Sequence, residues 1–213
     1  MLVTLTPKFD FIMRRISTIL SVVIVSFSLL AAFTGVLLSF YYQPTAGGAY
    51  NSLRIITEQV QYGWLFRKVH DLAGNFVIGV GLIQLVVMFL GRQFRKSWLA
   101  TWISGIFLIL TAIGLGWTAM ILDWGQIGYW RFNVELGSIS SIPLIGGQLR
   151  EILTGGNGVN TITVGHLYTI HSYVLTIAIM ILAVAHLAST LWQEKQLKSE
   201  VSEQTSGISA DIV

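Results

Sequence analysis

Apolar residues in this chain gather into long blocks separated by shorter polar stretches. The blocks run from about Ile16 to Phe40, Val69 to Leu90, Trp98 to Leu122 and Val164 to Trp192. Crossing a bilayer takes about 20 mostly apolar residues, and every block is long enough. Lipid offers the backbone no hydrogen-bond partners, so each block is predicted to be an α-helix that satisfies its own groups. The expected fold class is therefore all-α: a four-transmembrane-helix bundle. The chain divides into an N-terminal segment (1–15), the membrane bundle (16–192) and a polar tail (193–213) expected to be disordered.

The connections differ in character. Gly91–Ser97 is tight, which favours antiparallel neighbours. Tyr41–Lys68 is amphipathic and is expected to lie along the surface. Asp123–Thr163 is long enough to hold structure of its own. Pro143, Gly146, Gly147 and the glycines of 155–158 break it into pieces, and a short interfacial helix is expected over Ile142–Leu153.

Composition supports lipid as the solvent. Of the 213 residues, 54% are hydrophobic and 11% charged, against about 25% charged in soluble domains. With no cysteine, disulfides, cysteine-ligated clusters and thioether-bound haem are excluded. The net charge of +3 is small, and the basic residues flank apolar blocks, so they read as topology signals rather than a nucleic-acid footprint. Lys8, Arg14, Arg15, Arg92, Arg95, Lys96, Lys195 and Lys198 fall on one side. Arg54, Arg67, Lys68, Arg131 and Arg150 fall on the other. The excess predicts a multi-pass protein with both termini on the cytoplasmic-like side, called n here, opposite a p side. Met1–Asp10 does not read as a signal peptide, because the apolar stretch after Arg14 and Arg15 is too long.

The histidines bring in chemistry. There are four: His70, His166, His171 and His186. An intramembrane ionisable residue is costly and points to function, although a single one can equally be a neutral histidine bonded to a neighbouring carbonyl. His70 opens the second block and His171 lies early in the fourth. Both blocks run from p to n, so the two imidazoles are expected at one depth. That is what the two axial ligands of a b-type haem require. His186 lies 186 − 171 = 15 residues beyond His171, roughly 22 Å further towards the n side. A partner for it on the second helix would stand about 14 residues after His70, and that position is Gln84, a poor ligand for haem iron. Gly35, Gly105 and Gly116 are small enough for a porphyrin to approach the backbone, though small residues also serve plain helix packing. Arg67 is placed to pair a haem propionate, or else to anchor at the headgroups.

Several blocks together carry a family resemblance. They are Phe40-Tyr41-Tyr42-Gln43-Pro44-Thr45, Tyr62-Gly63-Trp64-Leu65-Phe66-Arg67-Lys68-Val69-His70, Asp123-Trp124-Gly125-Gln126-Ile127-Gly128-Tyr129-Trp130, Ile142-Pro143-Leu144-Ile145-Gly146 and Leu167-Tyr168-Thr169-Ile170-His171. In this order and spacing, the chain resembles the N-terminal four-helix part of cytochrome b, most closely of the b6 type, over about Ile16 to Trp192.

The resemblance implies a haem on His70 and His171 near the p side. It implies a second haem near the n side, with His186 matching one ligand and Gln84 standing in place of the other. Ile19 occupies the position of the cysteine that tethers an extra haem in cytochrome b6. Leu191 and Trp192 replace basic residues, His166 an arginine, and Asp71 an arginine. The implied function is electron transfer in a quinol-linked chain, respiratory or photosynthetic, in a bacterial inner membrane or a thylakoid. The chain would be a subunit rather than a complete enzyme. Implied partners are lipid, quinol or quinone, a C-terminal cytochrome b subunit and a Rieske protein, in a homodimer. A haem held by His186 alone would be high-spin. The competing reading is a structural or assembly subunit that has lost one haem or both; a transporter has little support.

Overall fold

The computed structural model describes residues 7–91, 99–156 and 158–210. All regular elements among them are helices: α1 (Pro7–Ser39), α2 (Ala49–Glu58), α3 (Gly63–Leu90), α4 (Leu99–Leu122), α5 (Gln126–Ser140), α6 (Gly146–Thr154), α7 (Thr161–Thr169) and α8 (Thr176–Ala210). A π-helical turn, Ile170–Leu175, joins α7 to α8 without a break. Among the described residues, four stretches are long and apolar enough to cross a membrane: Phe11–Ser39, Gly63–Leu90, Leu99–Leu122 and Thr161–Gln196. Each contains or closely matches one of the apolar blocks. The basic cluster Arg92–Lys96 and Trp98 lie outside the described residues.

Apolar side chains from all four spans meet in the middle of the bundle. Ile24 of α1, Val77 of α3, Leu108, Ile109 and Ala112 of α4, and Ile179 and Ala183 of α8 form one buried cluster. The outward faces keep large apolar residues exposed, among them Phe33, Val36, Ile83, Val86, Phe107, Leu110 and Ile181. In water such a surface would drive association; in a bilayer it is the solvated face.

A second cluster sits at the end that carries His70. Ala49 of α2, Ile121 and Leu122 of α4, Phe132 and Leu136 of α5, and Val164 and Leu167 of α7 are buried together. Polar ties fix the same region. The Tyr42 hydroxyl donates to the Leu122 carbonyl at 2.8 Å. Burial, then the nearby Asp123 carboxylate, pushes that phenol above its ordinary range. Trp117 Nε1 donates to Glu135 at 2.6 Å, joining α4 to α5.

The long connection after α4 holds two helices rather than one. The expected interfacial helix over Ile142–Leu153 begins later, at Gly146. Residues 126–140 are also helical, because burying Phe132 and Leu136 against α4 and α7 stabilises a segment of otherwise mixed polarity. α3 begins at Gly63, about two turns before the expected start at Val69. Past Trp192, α8 continues to Ala210, across most of the segment expected to be a disordered tail. Its first residues there, Gln193-Glu194-Lys195-Gln196, are good helix formers, and Glu194 pairs with Arg15 at 2.9 Å and Lys198 at 3.5 Å.

Candidate functional site: paired imidazoles inside the bundle

α3 and the π turn bring His70 and His171 together. Their ring centroids are 6.3 Å apart and the ring planes are inclined by 61°. With each nitrogen about 2.0 Å from a shared metal and each centroid about 1.1 Å further back, two imidazoles on one metal have centroids roughly 6.2 Å apart. The observed spacing therefore fits a metal-centred ligand held between two helices. Neither histidine is fully buried, in contrast to His186.

Each imidazole is held from behind by a neighbouring helix. His70 Nδ1 lies 3.2 Å from Thr34 Oγ1 and 2.9 Å from the Ala31 carbonyl oxygen on α1. His171 Nδ1 lies 2.8 Å from Thr118 Oγ1 on α4 and also meets the Leu115 backbone. The two threonine hydroxyls give their hydrogens to their own helices: Thr34 to Leu30 and Ala31, Thr118 to Gly114 and Leu115. Only lone pairs are left facing the rings. An imidazole nitrogen that meets only acceptors carries the proton, which makes Nδ1 the donor and leaves Nε2 a lone pair able to bind a metal.

The π turn contributes to the same arrangement. His171 is its second residue, and the carbonyl of His171 is met by Thr176 Oγ1 at 2.7 Å. Single π turns concentrate where a helix must re-aim a functional side chain.

The other expected site residues fall as follows. Gly35 lies against His70: a Cβ there would stand 3.0 Å from the imidazole Cε1. Gly116 lies against Ile78 of α3, 3.1 Å from an added Cβ, and touches neither imidazole. Arg67 donates to Asp123 at 2.5 Å and to Thr57 Oγ1 at 3.0 Å, bracing the start of α3 against the end of α4 and against α2. That pair is half exposed and contributes about 1 kcal/mol or less. His166 is exposed beside Gly155, away from the pair. Gln84 and His186 share one narrow cleft with Gly81, Leu85, Met88, Gly105, Leu108 and Ile109.

Thr34 and Thr118 were not among the expected site residues. Hydroxyls inside otherwise apolar spans were the available signal, but a serine or threonine bonding its own helix backbone is common in membrane helices. Replacing Thr118 with valine removes one acceptor at nearly constant volume. We expect Thr118→Val to weaken retention of a metal-centred ligand at His171 about 10-fold to 100-fold, measured by transfer of that ligand to an acceptor protein. Retention equal to that of the unmodified protein would show that the hydroxyl does not support the ligand.

The fold and these side chains define a class: a membrane-embedded helical bundle with imidazoles paired across its interior. Comparison with known proteins narrows that class. Residues 11–193 match the family model for cytochrome b/b6/petB. The cytochrome b6 of Oltmannsiellopsis viridis is 31% identical over 153 residues, covering 72% of this chain and 71% of that protein. The cytochrome b6 of Synechococcus elongatus gives the same identity and coverage. A chain of a hyperthermophilic respiratory complex III superposes with a TM-score of 0.71 at 24% identity, covering 83% of this chain and 47% of that one. The present chain thus spans about half the length of that subunit. The chain belongs to the cytochrome b/b6 family, and membership implies haem b as its cofactor.

Proposed function

We propose that this chain is the haem-carrying core of a quinol-linked electron-transfer complex, with His70 and His171 as the axial ligands of a low-spin haem b. The observation that carries the proposal is the pair of imidazoles 6.3 Å apart, with Nδ1 of each tied to acceptors on a neighbouring helix. The haem supplies one-electron chemistry there. The protein's part is to fix both ring nitrogens, to seat His70 against Gly35, and to shield the site with the apolar bundle.

The wider assignment follows from family membership and from likeness to a complex III chain. The partners are quinol or quinone, lipid, a C-terminal cytochrome b subunit, a Rieske protein and a second copy of this chain. The membrane is a bacterial inner membrane or a thylakoid, with both termini on the cytoplasmic or stromal side and the His70–His171 pair near the opposite surface. The test is to purify the chain from membranes, record the dithionite-reduced minus oxidised spectrum, and ask whether an added quinol reduces the same band in the presence of the partner subunits. A b-type band that responds to quinol is expected. A chain with no haem would favour a structural or assembly role.

A further inference from the structure

The support seen behind His70 and His171 is repeated at the other end of the bundle. His186 Nδ1 lies 3.0 Å from Ser104 Oγ and also meets the Thr101 backbone. Ser104 gives its own hydrogen to the Thr101 carbonyl at 3.1 Å. The residues supporting His171 are Thr118 and Leu115, and 118 − 104 = 115 − 101 = 14. Gly105 lies against the His186 ring, 2.9 Å from an added Cβ, much as Gly35 lies against His70.

The fourth position follows the same rule with a different side chain. Gln84 Nε2 donates to the Ser17 carbonyl at 3.1 Å and to Ser21 Oγ at 2.6 Å. His70 meets the Ala31 carbonyl, and 84 − 70 = 31 − 17 = 14. The amide nitrogen of Gln84 therefore takes the place that Nδ1–H takes in His70.

One polar atom in this region has no partner. His186 is 1% exposed, and its Nε2 makes no hydrogen bond. A buried polar atom left unpaired is costly, so an atom of this kind calls for an explanation. With Nδ1 facing acceptors, Nε2 carries a lone pair into the cleft shared with Gln84 and Met88. The donor set fits haem iron on one side only. An amide nitrogen has no lone pair to give, and an amide oxygen is a hard, weak ligand for ferrous iron.

We propose that His186 is the single strong protein ligand of a second haem, whose sixth position, faced by Gln84, is exchangeable and open to small π-acceptor molecules such as carbon monoxide. This rests on the reading that the chain carries haem between α3 and α8. It goes beyond that reading in making the two ends of the bundle unlike: one closed by two imidazoles, the other able to take an external ligand.

The test uses purified full-length protein. Haem per chain comes from pyridine haemochrome, and carbon monoxide is added to the dithionite-reduced sample. The expected result is about two haems per chain, with roughly half of the Soret band shifting under carbon monoxide. His186→Ala should abolish that shift while the low-spin band of the other haem remains, which also shows that the variant is folded. Gln84→His should convert the second haem to low-spin and abolish the shift without loss of haem. One haem per chain with no carbon monoxide response overturns the proposal and leaves the His70–His171 assignment standing. A second haem that is low-spin and unresponsive in the unmodified protein also overturns it and points to the Met88 thioether as sixth ligand. A chain with no haem at all defeats both readings.

Discussion

Replacing His171 with alanine is expected to remove the low-spin b-haem spectrum, and His70→Ala is expected to do the same. The reason is geometric. The two rings come from different helical segments with centroids 6.3 Å apart, and no other described histidine reaches that position: His166 is exposed beside Gly155, and His186 faces a different cleft. A single remaining imidazole leaves iron five-coordinate, so a residual haem would change spin state rather than merely lose occupancy. The low-spin absorption and its electron paramagnetic resonance signal should fall to background in both variants. Helical circular dichroism should persist, because neither side chain belongs to the buried clusters that hold the spans together. A full low-spin spectrum in either variant would remove that histidine from the ligand set.

A comparably large effect is expected from a residue with no side chain. Gly63 opens α3, and a Cβ there would stand 1.9 Å from the Ile56 carbonyl oxygen and 2.9 Å from its carbon. Both neighbours are backbone, so neither can turn aside. Tyr62, just before it, holds φ at 60°, a left-handed value that turns the chain sharply between α2 and α3. Gly63→Ala must push α2 away from the start of α3, and His70 lies 70 − 63 = 7 residues along that helix, about two turns. Strain of this kind costs about 3 kcal/mol or more. We expect a lower unfolding temperature in detergent and a haem-to-protein ratio well below that of the unmodified protein. Gly74→Ala is the control: nothing lies within 4 Å of an added Cβ there. That variant should be neutral or stabilised by up to about 1 kcal/mol. Equal behaviour of the two variants would show that the α2–α3 contact does not govern the site.

The four spans were legible because lipid leaves a strong mark on composition: a span must be apolar all round, whatever it does. α5 was not legible in the same way. Phe132 and Leu136 are buried against α4 and α7, yet they stand among Arg131, Asn133 and Glu135, and only tertiary contact separates the inward side from the outward one. The meeting of His70 and His171 was legible because histidine is rare in a membrane and the direction of each helix fixes its depth. The groups behind the two rings were hidden. Ala31, Leu115 and Ser17 act through backbone carbonyls, for which a sequence carries no signal at all. Gln84 was read as a gap in the family pattern, and the structure shows it tethered to α1.

The π turn at His171 reconciles two helices that do not count alike. From His70 to Gln84 is 14 residues, and from His171 to His186 is 15. At about 100° per residue, 14 α-helical steps end roughly 40° short of four full turns, whereas 15 end about 60° past them. One wide turn stores a single residue without advancing the helix. The turn over Ile170–Leu175 therefore brings the longer interval back to the angle and rise of the shorter one. α3 and α8 can then present the same azimuth to each other at both ends, despite their unequal residue counts. A chain shorter by one residue within 170–175 could run as plain α-helix and keep the two histidines in the same relation. The surplus residue is thus a local change of pitch, and it spares the rest of the bundle any change of register.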